Sequence, residues 1–305
     1  MMRLRSQIIM KRYLAICTWL AVTLPAAIAQ KPDTAQILVH YKFTHVRDTN
    51  KRTNAGTENM VLFVGKNTGS YKSYDRQLEN ALYRRQMQEA ITNSVDGNVR
   101  VDRHITGSGT EYYQFINYRK LVRKEVTMMD SYIIDDVLPV INWRISGDKA
   151  NFGELHCQKA TCHFKGRDYI AWFCPDLPVH VGPWKLNGLP GVIVEAYDAK
   201  KEVVFKFDRV EKAVLGGPKP IKDRRGRILP PLGDDDDNAD PNIIRVPTRG
   251  LKTTDKEYEK LQAAMRKDPN AVAQAMASGQ GDGPKMDVKG GAGPVMNNPI
   301  ELPEK

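Results

Sequence analysis

Apolar and polar residues alternate along several short stretches of this chain, and a period of two predicts β-strands. The first predicted strand covers residues 36–48, and the second, residues 60–65, is apolar almost throughout. Two more strands are predicted at residues 112–117 and 120–128, after a Gly-Ser-Gly turn. The N-terminal half is therefore expected to supply several strands of an antiparallel sheet.

One long helix is predicted between the second and third of these strands, at residues 75–92. Its apolar residues recur at a spacing of three to four, which is typical of one face of a helix. They are Leu78, Ala81, Leu82, Ala90 and Ile91. Ser73 or Asp75 is placed to cap the N-terminus, and the apolar face is expected to pack against the sheet.

The middle of the chain reads as a meander of further strands. Residues 131–145 predict an Asp-Asp loop followed by a strand from Val140, with a turn at residues 147–149. Residues 152–164 and 167–174 are two strands joined by a turn at Lys165-Gly166, and residues 192–197 and 202–210 are another pair. These antiparallel pairs predict a mainly β fold, with a meander or curved sheet packed with one long helix.

The meander is organised around a turn rich in glycine and proline, at residues 182–191. Its defining residues are Gly182, Pro183, Trp184, Gly188, Leu189, Pro190 and Gly191. Pro190 followed by Gly191 suits the two central positions of a type II turn. The apolar run 192–194 then predicts a strand that is buried on both faces.

Composition divides the chain into four parts. Residues 1–29 have a basic start, a short apolar stretch and a small-residue cleavage site before Gln30, which predicts a signal peptide. The β-rich domain covers 30–215, and a Gly/Pro/Asp-rich loop covers 216–250, including the like-charge run 234–237. Residues 251–305 are expected to be partly helical, at 254–266 and 270–277, and otherwise flexible.

Charge and export narrow the functional classes. The formal net charge is +10, but four of the positive charges lie in the predicted signal peptide, which leaves about +6 spread over the rest. A basic stripe typical of nucleic-acid binding is missing from the pattern. The chain is therefore expected to be exported, periplasmic or outer-membrane-associated, with no nucleic-acid partner and no transmembrane segment after cleavage.

Three cysteines remain after the predicted cleavage, and an oxidising compartment favours one disulfide among them. If Lys165-Gly166 is a two-residue hairpin loop, Cys157 lies directly opposite Cys174, at a distance that a disulfide can bridge. A Cys157–Cys162 pair across a bulge remains the alternative. A change of one residue in the loop would remove the first arrangement.

Candidate chemistry is sparse. His156, Cys157, Cys162 and His163 carry imidazole and thiolate ligands suited to zinc or copper, if a tight turn brings them together. The carboxylates and the histidine that could serve acid–base chemistry have no recognisable spacing. They are Glu154, Asp168, Asp176, His180 and Glu195. No catalytic residue and no cofactor is predicted, and the tryptophans are expected to pack in the core.

Several short motifs resemble those of the GLPGLI family of exported envelope proteins. They are residues 157–160, 166–173, 182–184 and 188–193, with Val192 in place of the leucine of the family signature, and the ending 298–302. The resemblance extends over residues 36–210. It implies a periplasmic or outer-membrane-associated accessory protein, considered alongside TonB-dependent transport, with no established enzymatic activity.

Two functions are therefore expected from the sequence. The first is an exported, non-enzymatic protein that binds a periplasmic or outer-membrane partner and is linked to TonB-dependent transport. The alternative is a metal-binding or redox protein that uses His156, Cys157, Cys162 and His163.

Overall fold

A computed structural model describes residues 31–94, 99–102, 104, 106–127, 130–230, 239–268 and 296–304. The predicted signal peptide, the aspartate run 234–237, the predicted helix 270–277 and the flexible stretch 279–293 lie outside these residues. None of the described helices has both the length and the apolar character needed to cross a bilayer.

The described chain is dominated by strands, with two α-helices. The helices are α1 (Tyr74–Asn93) and α2 (Asp255–Lys267). The strands are β1 (Asp33–Thr34), β2 (Ile37–His45), β3 (Gly56–Val64), β4 (Thr68–Ser73), β5 (Thr110–Phe115), β6 (Lys120–Val126), β7 (Ser131–Val137), β8 (Arg144–Phe152), β9 (Leu155–Phe164), β10 (Arg167–Cys174), β11 (Val192–Asp198), β12 (Val203–Lys212), β13 (Ile243–Ile244) and β14 (Leu251–Thr253).

Twelve strands form one mixed sheet in the order β14-β7-β6-β5-β4-β3-β2-β12-β11-β10-β9-β8. All neighbours are antiparallel except β14 and β7, which run parallel. The two short strands β1 and β13 form a separate antiparallel pair. The predicted mainly β class, with antiparallel pairs and one long helix, is confirmed.

The two faces of the sheet are buried by different parts of the chain. The larger core contains β2–β4 and β9–β12 residues, and the central turn packs into it with Trp184, Leu186 and Leu189. A smaller core lies on the opposite face, where Phe63, Tyr113 and their neighbours meet Ala35 and Ile244 from β1 and β13 and their surroundings. We call these the inner and the outer face. The central turn therefore belongs to the inner core.

Three of the predicted strand boundaries are wrong. Asp135 and Asp136 lie within β7, because that strand pairs with β6 along its whole length, and Lys120 forms an ion pair with Asp135 at 3.1 Å. The predicted turn at 147–149 is a bulge inside β8. The predicted strand 152–164 is split by a hairpin at Gly153, whose φ of +61° suits glycine.

Strand β4 is missing from the sequence prediction altogether. Its residues, Thr-Gly-Ser-Tyr-Lys-Ser, have little apolar alternation, yet five of the six are buried between β3 and β5. Burial of such a polar strand depends on its two neighbours, which satisfy its backbone groups.

The helix predictions hold for position and capping but not for packing. The side chain of Ser73 accepts a hydrogen bond from the Arg76 N–H and so caps α1, and Thr254 caps α2 through a capping box with Glu257. However, α1 has no buried residue, and Leu78 and Leu82 of its apolar stripe are 50% and 47% exposed. The apolar stripe of this helix is therefore not packed into a core.

Candidate functional site

The central turn is a compact loop that folds back on itself against the inner face. Val181 and Asn187 form a β-bridge, and the Gly188 N–H donates to the His180 carbonyl at 3.0 Å. Trp184 adopts a φ of +56° and is 2% exposed, because its ring packs among Phe164, Tyr169 and Phe205. The expectation that this tryptophan is a core residue is correct.

A glutamine that the sequence pattern does not single out holds the turn in place. Gln114 on β5 is buried, and its Nε2 donates to the carbonyl oxygens of Gly182, Trp184 and Leu186 at 3.0, 3.0 and 3.2 Å. Its Oε1 accepts from the Gly182 N–H at 3.3 Å. One side chain from the sheet thus satisfies four backbone groups of a buried loop, which would otherwise be costly to bury.

The connection between β7 and β8 fixes the far end of the turn. The Trp143 indole Nε1 donates to the Asn187 carbonyl at 2.8 Å, and the Asn187 side chain donates to the Pro139 carbonyl at 3.1 Å. Residues 138–143, predicted to begin a strand at Val140, instead pack across the inner face with Ile141 and Trp143. This connection and Gln114 hold the turn from two sides.

The predicted type II turn at Pro190-Gly191 has a different form. The Gly191 N–H donates to the Leu189 carbonyl at 2.8 Å, a three-residue turn, and the Val192 N–H donates to the Leu177 carbonyl at 2.9 Å. A four-residue turn would have directed the Val192 N–H back to Leu189. The buried strand that follows is confirmed, since Val192, Ile193 and Val194 are completely buried in β11.

The predicted disulfide between Cys157 and Cys174 is present, with the two Cα atoms 4.2 Å apart. Lys165 and Gly166 form a two-residue loop, and Phe164 pairs with Arg167 as the hairpin argument required. The alternative pairing of Cys157 with Cys162 is excluded. The disulfide joins β9 to the end of β10 that contacts the central turn, because Cys174 pairs with Val192.

Removing this disulfide is expected to lower the free energy of unfolding by about 3 kcal/mol, since it closes a loop of 17 residues. Urea unfolding of the Cys157→Ala/Cys174→Ala variant measures the loss. Dithiothreitol should destabilise the natural chain by a similar amount and leave the variant unchanged. A natural chain that is insensitive to reductant in the unfolding transition would contradict the prediction.

The buried side chain of Arg167 forms hydrogen bonds and ion pairs with several parts of the fold. Its Nη1 lies 2.8 Å from Asp198 and 3.3 Å from Glu202, and its Nη2 donates to the Asn298 side chain and the Pro299 carbonyl at 2.7 Å each. Its Nε donates to the Ile300 carbonyl at 2.9 Å. The five N–H groups of a guanidinium therefore all have acceptors, and two of those acceptors are buried carboxylates.

Through Arg167 the C-terminal segment, residues 296–304, is fastened to the β9–β10 hairpin. The Leu302 N–H donates to the Lys165 carbonyl at 3.0 Å, and the backbone approaches so closely that a Cβ on Gly166 would lie 2.7 Å from the Leu302 oxygen. The Asn298 side chain donates to the Val46 carbonyl at 2.7 Å. The segment is thus held as part of the described fold.

Glu301 connects this segment to the central turn. Its two carboxylate oxygens lie 2.5 Å from Lys185 and 3.0 Å from Lys165. Burial alone would raise the pKa of the Glu301 carboxyl, but the positive charges and hydrogen bonds of the two lysines outweigh it and hold that pKa below its usual value. The ion pairs therefore persist over the neutral pH range.

Glu301→Gln is expected to weaken the acid sensitivity of the fold. A carboxyl whose pKa is lowered on folding adds stability above its unfolded pKa, and this stability is lost as the pH falls through the folded pKa. The difference in unfolding free energy between the natural chain and the variant should therefore shrink below about pH 5. Denaturant titrations at a series of pH values test this, with Glu259→Gln, an exposed residue of α2, as the control.

A second group of charges holds α2 near the inner face. Arg123 on β6 lies 3.1 Å from Glu125 and 2.6 Å from Asp255, and its guanidinium sits 5.6 Å from the centre of the Tyr258 ring. Burial raises the pKa of the Glu125 carboxyl and that of the neighbouring Tyr112 hydroxyl. Arg123 therefore pairs with both carboxylates, and its contacts with Asp255 and Tyr258 hold α2 against the sheet.

The four candidate metal ligands do not converge on one point. Cys157 is in the disulfide, and the free Cys162 is buried, with the pKa of its thiol raised to about 12 by desolvation. His156 and His163 are exposed and hydrogen-bond to Asp176 at 3.1 Å and to Asp168 at 2.7 Å. Within the described ranges, no three His, Cys, Asp or Glu side chains are grouped to hold a metal ion.

The remaining acid–base candidates have structural contacts. Asp168 and Asp176 serve as partners of the two histidines, and the carboxylate of Glu195 accepts the Phe207 N–H at 3.1 Å. His180 supplies its carbonyl to the central turn, and Glu154 lies in the β8–β9 hairpin loop. These contacts spread the candidates over different parts of the sheet.

A cavity with a volume of about 900 Å³ lies on the outer face, under α1. Its floor is formed by adjacent strands β4–β7, with Lys72, Glu111, Lys124 and Val126. Its walls are α1 and residues 216–221. We call it the α1 cavity. No pattern in the sequence indicates this cavity, because the apolar stripe of α1 predicts a buried face.

The fold and the site together define a β-sheet scaffold with a fastened turn and a surface cavity, and part of the chain matches a family model. Residues 162–195, which contain β10 and the central turn, match the family described as "Protein of unknown function (Porph_ging)". No curated protein matches the chain.

Two solved structures of PNGF-II, in the P21 and C2 space groups, are similar in fold to part of the chain. Their sequence identities to this chain are 8% and 9%, and the TM-score is 0.46 in both cases. The match covers 74% of this chain and 32% of the PNGF-II chains, so this chain spans about a third of their length.

Proposed function

We infer that this chain is an exported, non-enzymatic binding or accessory protein of the cell envelope, and that the α1 cavity is its binding site. The observation that carries this proposal is the cavity itself, built on four strands of a sheet whose opposite face is rigidly filled by the central turn. Its volume lies within the range of about 300–1,000 Å³ that is usual for ligand sites.

Two further observations support export and binding over catalysis. The Cys157–Cys174 disulfide is of a kind that persists in oxidising compartments such as the periplasm. The buried charges near the central turn, Arg167 and Lys185, are engaged in internal ion pairs. The association with outer-membrane, TonB-dependent transport comes from the resemblance to the GLPGLI family and is part of the proposal on that basis.

Site-directed photo-crosslinking in intact cells tests the proposal. A benzoylphenylalanine at position 81, in the wall of the α1 cavity, is expected to give a discrete adduct with an envelope component. The same group at position 145, on the edge strand β8 at the other end of the sheet, should not. Identical adducts at both positions, or none at either, would contradict a binding role for this surface.

The same cells are used to identify the compartment of the chain and the partner in the adduct. Mass spectrometry should find the mature chain in the periplasmic or outer-membrane fraction, beginning near Gln30. An outer-membrane transporter in the position 81 adduct would support the link to transport. Recovery of the chain in the cytoplasm with residues 1–29 intact would overturn export.

A further inference from the structure

We propose that the α1 cavity binds an anionic amphiphile, a molecule with an apolar body and a carboxylate or phosphate head. This inference rests on the proposed binding function and names the chemical class of its ligand.

Helix α1 is tied to the rest of the fold on both sides of the cavity. At the N-terminal end, Asp75 accepts hydrogen bonds from the backbone and side chain of Asn59 at 2.9 and 2.8 Å. At the C-terminal end, Gln88 exchanges two hydrogen bonds of 2.8 Å with the backbone of Lys222. The intervening helix therefore forms a fixed wall that leaves the space beneath it.

The lining of the cavity is amphipathic. Apolar side chains come from the helix, from the floor and from the segment opposite. They are Leu78, Ala81, Val126, Pro218, Pro220, Ile221 and Pro241. Such a wall can bury the body of an apolar ligand, and this burial would supply most of the binding free energy.

The charged side chains of the lining are predominantly positive. The described lining holds six cationic side chains and two carboxylates, a net charge of +4. The cations are Lys72, Arg76, Arg84, Arg85, Lys124 and Lys219. A partly enclosed space with this excess of positive charge attracts a negatively charged group, because low-dielectric walls strengthen the field inside.

Gln77 of α1 lies in the lining beside the cationic Arg76. A negative charge introduced at this position would lower the positive excess of the cavity and repel an anionic head group.

Isothermal titration of the mature chain with decyl phosphate, kept at monomeric concentrations, tests the proposal. We expect saturable binding, and much weaker binding of decyl maltoside and decyltrimethylammonium, which share the tail but carry neutral and positive heads. Gln77→Glu should weaken binding by about tenfold or more, since it places a negative charge in the cationic lining. Ala81→Trp, which fills the space from an exposed helix position, should abolish binding.

Gln86→Glu is the matched control, because the same change on the exposed surface of α1 lies outside the lining and should leave binding unchanged. A negative charge near the N-terminus of α1 is compatible with the helix dipole, so Gln77→Glu is expected to fold. Circular dichroism of both variants checks this.

Equal affinity for decyl phosphate and decyl maltoside, or equal effects of Gln77→Glu and Gln86→Glu, would overturn the proposal. Binding to phosphatidylglycerol vesicles without binding of monomeric decyl phosphate would overturn it as well, in favour of attachment to a lipid surface. Crosslinking at position 81 without amphiphile binding would refute the ligand class alone. The absence of both the position 81 adduct and amphiphile binding would refute the binding function.

Discussion

Replacing Arg167 with methionine is expected to lower the free energy of unfolding by roughly 3–5 kcal/mol, the usual cost of removing one partner of a buried ion pair. The variant removes the counter-ion of the buried Asp198 carboxylate and leaves Glu202 paired with Arg52 alone, at 2.6 Å. It also removes the donors for Asn298 and for the carbonyls of Pro299 and Ile300.

Urea unfolding measures this effect, and limited carboxypeptidase digestion should show that residues 296–304 become accessible. Arg167→Lys keeps the charge but cannot replace five directed N–H groups, so an intermediate loss is expected. Arg85→Met is the control, because Arg85 forms an exposed pair with Glu89 on α1 that is worth about 0.5 kcal/mol or less. A loss below about 1 kcal/mol for Arg167→Met would show that the surrounding groups find other partners.

Gly191→Ala is expected to cost roughly 3 kcal/mol or more, as severe overpacking does. A Cβ at this position would lie 2.2 Å from the Cys174 carbonyl oxygen and 2.5 Å from its carbon. These are backbone atoms of β10, held by pairing with β11 and by the disulfide. They cannot move aside as the end of a flexible side chain can.

Thermal or urea unfolding gives the measurement. Gly147→Ala in β8 is the matched control, because its Cβ would meet nothing within 4 Å, and a change of about 0.5 kcal/mol or less is expected. The cost of Gly191→Ala should also be smaller when Cys157 and Cys174 are both alanine, since β10 can then shift. Equal costs in the two backgrounds would show that the disulfide does not restrain this contact.

The central turn contributes to the stability of the fold, whereas the proposed function depends on the α1 cavity. The turn is fastened by Gln114, by the β7–β8 connection and by the C-terminal segment through Lys185 and Glu301. The proposed ligand site lies on the other face of the sheet, under α1. A variant that damages the turn should therefore lower stability and binding together, whereas Gln77→Glu should lower binding alone.

Local patterns in the sequence were sufficient for the features that depend on near neighbours. The two-residue loop at Lys165-Gly166 sets the register of β9 and β10, so the Cys157–Cys174 disulfide follows from counting residues across one hairpin. Helix α1 and its Ser73 cap follow in the same way from spacing within one turn. The apolar run 192–194 already indicates a strand buried on both faces.

Only the tertiary structure decided which distant polar groups meet. Gln114 contacts the central turn 68 to 72 residues away, and Arg167 contacts Asn298 at a separation of 131 residues. Glutamine and arginine form hydrogen bonds with many partners, so no period in the sequence specifies their choice. Likewise, the stripe on α1 predicts an apolar face but not the distance at which Asp75 and Gln88 hold that face from the sheet. The sequence by itself determined most of the longer strands, the hairpin disulfide and the helix, because these depend on local geometry, whereas the polar strand β4 depends on its two neighbours. The fastening of the turn and the cavity under α1 depend on contacts that exist only once the whole sheet is assembled.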